Sequence, residues 1–182
     1  MTHRGDSLEP TIIFISGPLH SGKTTLAKNL ADRLKAENIR VKGFLALGEW
    51  AGTVRLGFKL LELSTSQIFP LATYDPSLHT TIPFAFSPEG IARGKRALSP
   101  DTCCDAQVVF LDEIGKLELS DKGWAPCLEP LLTLPGILHI WIVRDTLIDS
   151  VCDKWKIKPL IVSTQQPGAL EALLKKCREL LP

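Results

Sequence analysis

The sequence predicts an α/β fold of three layers, in which helices cover both faces of a mostly parallel sheet. Short apolar runs alternate with helical patterns along the 182 residues, an order typical of parallel strands joined by crossover helices. The runs are continuously apolar, as expected of strands that are buried on both faces. One stretch has two strand-like runs without a helix between them, which predicts an antiparallel β-hairpin extension of the sheet.

Length and composition predict a single domain over residues 1–182, with residues 1–10 as a flexible tail. Lysines and arginines number 21 against 20 aspartates and glutamates, so charge gives no reason to expect an obligatory nucleic acid or membrane partner. The five cysteines form no C-x-x-C pair, which indicates reduced thiols inside a cell. Because the first ten residues are polar and no apolar run reaches membrane-spanning length, we predict a cytoplasmic location.

The first element is a strand, a loop and a helix. The β-branched run Thr11–Ile15 predicts a buried strand, and leucines spaced by four predict a helix over Thr24–Glu37. The loop between them fits the phosphate-binding pattern G-x-x-x-x-G-K-[ST]. Its residues, continued by one, are Gly17, Pro18, Leu19, His20, Ser21, Gly22, Lys23, Thr24 and Thr25. A chance match in an ordinary strand, turn and helix is the alternative.

The residue types of this loop suit a polyphosphate. Gly17 and Gly22 let successive N–H groups point inward, and the helix N-terminus adds a partial positive charge. Lys23 would reach the β- and γ-phosphates, and the hydroxyl of Thr24 would bind Mg²⁺. We expect His20 to contribute its backbone N–H, with its imidazole facing solvent.

The segment after the first helix predicts the hairpin. Arg40–Ala46 and Thr53–Leu63 are strand-like, with a turn at Gly48–Gly52, and Gln67–Tyr74 adds a further short strand. Asp75–Pro83 has no clear period and predicts a loop. This loop is either a mobile segment over the active site or an ordinary surface loop.

The rest of the chain alternates helices with strands. Ser87-Pro88-Glu89 starts a helix that runs to Leu98, and Ser99-Pro100-Asp101 ends it. The remaining predicted elements are a strand Val108–Leu111, a helix Trp124–Thr133, a strand Ile137–Val143, a helix to Trp155 capped by Asp145, a strand Pro159–Ser163 and a helix Pro167–Leu180.

A second motif follows the strand Val108–Leu111. Four apolar residues deliver Asp112 and Glu113 to the carboxyl edge of the sheet, where open α/β sheets bind ligands. Asp112 would hold Mg²⁺, largely through water molecules. Glu113 would orient or deprotonate an attacking water. The alternative is a pair of solvated loop acids.

The segment from Asp112 to Leu119, Asp-Glu-Ile-Gly-Lys-Leu-Glu-Leu, resembles the signature of the THEP-type nucleoside-triphosphatase family, which includes the cancer-related nucleoside-triphosphatase. Weaker matches are Gly43-Phe44 and Arg55-Leu56-Gly57-Phe58. The resemblance implies the P-loop NTPase fold as a single α/β domain with an inserted hairpin. It also implies slow Mg²⁺-dependent hydrolysis of several nucleoside triphosphates. The nucleotide-contacting segments that it implies are Gly17–Thr24 and the residues Val108, Val109, Phe110, Leu111, Asp112, Glu113, Ile114 and Gly115.

The chain departs from the family's pattern after Gly43-Phe44 and at Ile142-Val143-Arg144. Arg144 would lie at a strand end on the ligand edge. It either contacts the γ-phosphate as an internal arginine finger or pairs with a neighbouring aspartate, Asp145 or Asp149. Lys116 and Glu118 either line the site or are solvated.

Three functions fit these motifs. The first is hydrolysis of ATP, GTP, CTP or UTP to the diphosphate and phosphate, with Lys23 and Glu113 as catalytic residues and Mg²⁺ as cofactor. The second is a small-molecule or nucleotide kinase, whose only candidate lid is Arg93-Gly94-Lys95-Arg96. Because this stretch lies in a predicted helix, hydrolysis is favoured. The third is a nucleotide-dependent module that regulates a protein partner, and the sequence identifies no such partner.

Overall fold

The computed structural model describes residues 10–79 and 82–181. The strands are β1 Thr11–Gly17, β2 Val41–Ala51, β3 Val54–Glu62, β4 Ile68–Tyr74, β5 Phe84–Phe86, β6 Val108–Ile114, β7 Leu138–Arg144 and β8 Leu160–Ser163. The helices are α1 Lys23–Ala36, α2 Pro88–Ala97, α3 Pro100–Cys103, α4 Lys116–Leu119, α5 Ala125–Leu132, α6 Ile148–Trp155 and α7 Ala169–Leu180. A 3₁₀ turn, Asp145–Leu147, precedes α6.

All eight strands form one sheet in the order β5-β4-β3-β2-β6-β7-β1-β8. The five strands from β2 to β8 in this order are parallel, and β3, β4 and β5 add antiparallel pairs at one edge. The predicted fold class is confirmed, although the antiparallel extension has three strands beyond β2 and is larger than a hairpin. The carboxyl ends of β1, β6 and β7 lie side by side.

Two apolar clusters pack on opposite faces of the sheet, which makes the three predicted layers. The helices α1 and α7 cover one face, with Ile13 and Ile15 pointing toward them. The helices α2, α3, α5 and α6 cover the other face, together with Ile12 and Phe14. Each central strand therefore contributes side chains to both clusters, which explains why its sequence is continuously apolar.

The turn of the hairpin was predicted at the wrong place. Gly48 lies inside β2, paired with Phe58 of β3, and the turn is formed by Gly52 and Thr53. The strand β2 continues beyond the predicted strand, with a bulge after Glu49. The physical reason is cross-strand pairing of the residues around Gly48, which outweighs the turn preference of a lone glycine.

Other element boundaries differ in smaller ways. Asp145 does not cap α6, because it belongs to the 3₁₀ turn and its carboxylate accepts the N–H of Thr146. The strand predicted at Val108–Leu111 continues to Ile114, so Asp112 and Glu113 lie within β6. The short elements β5, α3 and α4 were not predicted. Ser99 ends α2 as expected, and its hydroxyl then caps α3.

The predicted loop Asp75–Pro83 joins β4 to β5, and its residues 80 and 81 lie outside the described residues, as do residues 1–9 of the predicted tail 1–10. The five cysteines are all unpaired. Among the described helices, none is both long and apolar enough to cross a membrane.

Candidate active site

The phosphate-binding loop joins β1 to α1. Residues 18–22 form the loop, α1 begins at Lys23, and Thr25 is exposed in the first helical turn. Gly17 has no space for a side chain, because a methyl group there would clash with the hydroxyl groups of Thr164 and Ser21. Thr164, which follows β8, donates a hydrogen bond to Ser21 Oγ at 2.9 Å. This hydrogen bond from Thr164 to the loop was not predicted, because it depends on the register of β8 against β1.

Lys23 lies over the loop that precedes it. Its Nζ donates hydrogen bonds to the carbonyls of Gly17 at 3.0 Å and Pro18 at 2.6 Å. Burial lowers the pKa of Lys23, the negative charge of Glu113 opposes this shift, and the positive charge of Arg144 adds to it. The ammonium group therefore lies within electrostatic range of both side chains.

Asp112 is fully buried at the carboxyl end of β6. Its Oδ2 accepts hydrogen bonds from Thr24 Oγ1 at 2.9 Å and from the backbone N–H of Ala46 at 3.0 Å. Its Oδ1 accepts the N–H of Glu113 at 2.8 Å. Burial raises the pKa of Asp112, and the neighbouring charge of Glu113 raises it further. The two residues predicted to bind the metal are thus in direct contact.

The contact between Ala46 and Asp112 gives the hairpin a place in the site. Backbone pairing of β2 with β6 extends only from Val41 to Gly43. Beyond that point β2 turns to its antiparallel partner β3, and the N–H of Ala46 is bonded to the Asp112 carboxylate instead. This role of the segment could not be predicted from the sequence, since a backbone N–H donor is the same in nearly every residue type.

Glu113 lies at an irregularity of β6. The register against β7 shifts between Leu111 and Ile114, and Glu113 has a left-handed backbone with φ 60°. Such a conformation costs a non-glycine residue about 1–3 kcal/mol. The shift buries Asp112 while leaving Glu113 exposed at the same edge, so the two adjacent carboxylates occupy different environments.

The predicted nucleotide-contacting segment of β6 divides into two parts. Asp112 to Gly115 lies at the carboxyl edge of the sheet, beside the loop. The side chains that precede it are wholly buried in the two cores: Val108, Val109, Phe110 and Leu111. These four residues therefore position the carboxylates and do not line the surface.

Arg144 ends β7, the strand between β1 and β6. It is in register with Gly17 and half-buried. No ion pair found among residues 10–79 and 82–181 involves Arg144, so the predicted alternative of pairing with Asp145 or Asp149 is not observed. Its register position beside Gly17 brings its charge near the loop, where it lowers the pKa of Lys23.

Glu118 neither lines the site nor faces solvent, so both predicted alternatives are wrong for it. Its carboxylate is buried and accepts the backbone N–H groups of Gly115 at 2.9 Å and Trp124 at 3.1 Å. Burial raises the pKa of Glu118 to about 7. Its two hydrogen bonds connect the end of β6 to the start of α5. Lys116, by contrast, is exposed.

His20 is exposed, but its ring also contacts the hairpin. Its ring lies edge-on to Trp50 of the hairpin, with centroids 5.0 Å apart. Its Nδ1 is 3.4 Å from Nη2 of Arg55. The hairpin therefore reaches the phosphate-binding loop, a contact that sequence analysis did not predict.

The sequence of the chain is matched by a known family. A family model described as NTPase covers residues 12–166 of the chain. This chain belongs to the NTPase family. The resemblance drawn from the Asp112 segment is thereby confirmed, as is the prediction of an enzyme of the nucleoside-triphosphatase class at the level of the family.

Individual relatives agree with this assignment. The chain is 30% identical over 169 residues to nucleoside-triphosphatase THEP1 of Methanocaldococcus jannaschii, covering 90% of this chain and 95% of that protein. THEP1 of Pyrococcus abyssi is 30% identical over 115 residues, and the chain spans 64% of its length, just under two thirds. The solution structure of a human cancer-related nucleoside triphosphatase matches with a TM-score of 0.68 at 22% identity, covering 93% of this chain and 96% of that one. At that identity the likeness shows the fold alone.

Proposed function

We propose that this NTPase-family protein hydrolyses nucleoside triphosphates to the diphosphate and phosphate with Mg²⁺ as cofactor. The observation that carries the proposal is the 2.9 Å contact between Thr24 Oγ1 and Asp112 Oδ2 beside Lys23. A hydroxyl and a buried carboxylate are hard oxygen ligands of the kind that Mg²⁺ prefers. In the described part of the chain, no cluster of three or more His, Cys, Asp or Glu residues is placed to hold a metal. This fits an ion that completes its shell with phosphate oxygens and water.

Lys23 and the loop amides would bind the triphosphate. The Lys23 ammonium would exchange the carbonyls of Gly17 and Pro18 for the β- and γ-phosphate oxygens, which carry far more charge. Thr24 and Asp112 would hold Mg²⁺, and the bound ion would neutralise charge on the same oxygens. Arg144 would add its positive charge from the neighbouring strand end.

Glu113 is the proposed general base. Its carboxylate would accept a proton from water as the water oxygen forms a bond to the γ-phosphorus. The bond from that phosphorus to the bridging oxygen breaks, and its electron pair leaves with the diphosphate. The proton then passes from Glu113 to solvent. The exposed position of Glu113, next to the buried Asp112, supports this separation of roles.

We propose broad base tolerance, because the loop amides, Lys23 and the metal would recognise the triphosphate and not the base. No Asn-Lys-x-Asp guanine motif occurs in the sequence. A cytoplasmic location and the absence of an obligatory nucleic acid partner stay predictions from the sequence.

The kinase alternative needs a lid that excludes water. The candidate stretch lies in α2, which packs against the antiparallel part of the sheet. Within it, Arg93 lies 4.2 Å from the ring of Phe69 and pairs with Glu89 at 3.5 Å. These engagements favour hydrolysis over kinase activity. The regulatory alternative is compatible with the same site, with slow hydrolysis acting as a timer.

The proposal is tested by phosphate release with water as the only acceptor, in wild type and in Lys23→Ala. We expect wild type to release phosphate only with Mg²⁺ and the variant to release almost none. Wild-type inactivity, with phosphate transferred to an added acceptor, would identify a kinase. Turnover of Lys23→Ala at the wild-type rate would contradict the assignment of the loop.

A further inference from the structure

Arg55 is held in a fixed position at the tip of the hairpin. Its guanidinium lies 4.3 Å from the ring centroid of Trp50 and 4.7 Å from that of Phe58. Gly48 makes room for it, because a methyl group there would lie 3.3 Å from two of the guanidinium nitrogens. Stacking of this kind orients a guanidinium without using its hydrogen-bond donors. The side chain is therefore preorganised and its donors remain available.

The same guanidinium lies against the phosphate-binding loop. Its Nη2 is 3.4 Å from Nδ1 of His20, the loop's third residue after Gly17. Its Nε is buried and has no hydrogen-bond partner among the described residues. A guanidinium has five N–H donors, so its Nη groups can donate to a ligand beside the loop, whereas the buried Nε is closed to one.

The charge of Arg55 lies within electrostatic range of the two carboxylates of β6. Burial lowers the pKa of Arg55, and the negative charges of Glu113 and Asp112 oppose that shift. No ion pair among residues 10–79 and 82–181 involves Arg55. Its charge is thus near both acids without being neutralised by a direct contact.

We propose that Arg55 is a catalytic residue that contacts the γ-phosphate oxygens during hydrolysis. The proposal rests on the proposed function. The guanidinium contacts His20 of the phosphate-binding loop, and its charge lies within electrostatic range of Asp112 and Glu113, so it lies beside the space that the γ-phosphate would occupy. There it would stabilise the negative charge that spreads over the γ-oxygens while the bond to the bridging oxygen breaks, and it would exchange no proton. The hairpin thus supplies in cis a charge that other enzymes receive from a partner.

The test compares Arg55→Gln with Arg93→Gln. Glutamine keeps a planar polar end but removes the charge and the fork of donors. Arg93 is the matched control, since it also lies over an aromatic ring, that of Phe69, but on α2 and outside the site. We measure kcat, KM and, by calorimetry, binding of MgADP with and without aluminium fluoride.

We expect Arg55→Gln to lower kcat by about a hundredfold or more; a hundredfold is the scale for loss of one preorganised donor to a developing negative charge, and arginine fingers contribute about a thousandfold or more. MgADP binding should stay close to wild type, whereas the tighter complex formed with aluminium fluoride should be lost. Arg93→Gln should retain both the rate and this complex. If Arg55→Gln does not fold, Arg55→Lys carries the test, since it keeps the charge and loses the planar fork; its rate should still fall.

Two failures are distinguishable. If wild type and the folded Arg55 variant release phosphate equally and both bind aluminium fluoride with MgADP, the role of Arg55 is overturned while the proposed function stands. If wild type releases no phosphate from any nucleoside triphosphate, the proposed function fails, and the role of Arg55 fails with it.

Discussion

Thr24→Val isolates the contact on which the metal site depends. The hydroxyl of Thr24 donates to Asp112 Oδ2 at 2.9 Å, and this fully buried oxygen has one other donor, the N–H of Ala46. Valine keeps the branched shape, so the change removes the donor without leaving a cavity. A hydrogen bond to a charged group contributes about 1.5–3 kcal/mol. We expect the metal-free variant to lose about 2 kcal/mol of unfolding free energy, within that range.

The same variant should need more Mg²⁺. Loss of one ligand worth about 1.4 kcal/mol raises the half-saturating concentration about tenfold, which phosphate release titrated with Mg²⁺ would measure. Urea unfolding in the presence of a chelator measures the loss of unfolding free energy in the metal-free variant. Thr73→Val is the matched control, because Thr73 is an exposed threonine of β4 and belongs to neither predicted motif. Equal Mg²⁺ dependence in the two variants would refute the assignment of Thr24 to the metal.

Two further predictions concern pH and base. Burial raises the pKa of Glu118 to about 7, so the folded protein holds a proton that the unfolded chain releases near pH 4.5. The unfolding free energy of wild type, relative to that of Glu118→Gln, should therefore fall as pH rises from 4.5 to 7. The expected fall is on the order of 3 kcal/mol. A pH-independent difference between the two unfolding curves would contradict this. For ATP, GTP, CTP and UTP we expect similar kcat/KM, and a preference above about a thousandfold would require a dedicated polar pocket for one base.

The local features of the site were predictable because each depends on residues that are close together in the sequence. The glycine loop, the lysine and the first helix follow one another without a gap, and α1 starts within one residue of the predicted position. The Asp112-Glu113 pair follows a run of four apolar residues. Parallel strands share one carboxyl edge, so the two motifs had to meet there.

Contacts across the hairpin could not be predicted in this way. Ala46 reaches Asp112 through its backbone, and Arg55 reaches His20 only because the turn lies at Gly52 and Thr53 and not at Gly48–Gly52. A shift of one residue in strand register reverses which face each side chain occupies. The usable signal was an arginine with an aromatic residue on each strand of the hairpin, Trp50 and Phe58, which is typical of a stacked guanidinium.

The different environments of the three acids near the end of β6 could not be predicted from the sequence either. Asp112, Glu113 and Glu118 are equally acidic in sequence, yet one is fully buried, one is exposed and one is a brace between backbone amides. The left-handed backbone at Glu113 separates the first two. No residue type at that position marks it, since glycine or asparagine would be the usual choice for such a conformation.

Glu113→Gln gives the most direct test of the central claim, that this protein is a hydrolase whose water is activated by Glu113. The change keeps the shape and removes the basic carboxylate. Binding of the nucleoside triphosphate and Mg²⁺ should stay close to wild type, while phosphate release falls by about a hundredfold or more, the scale of a general base. The variant should then retain unhydrolysed triphosphate on the protein. Release at the wild-type rate with unchanged binding would contradict the account and leave Glu113 a solvated acid.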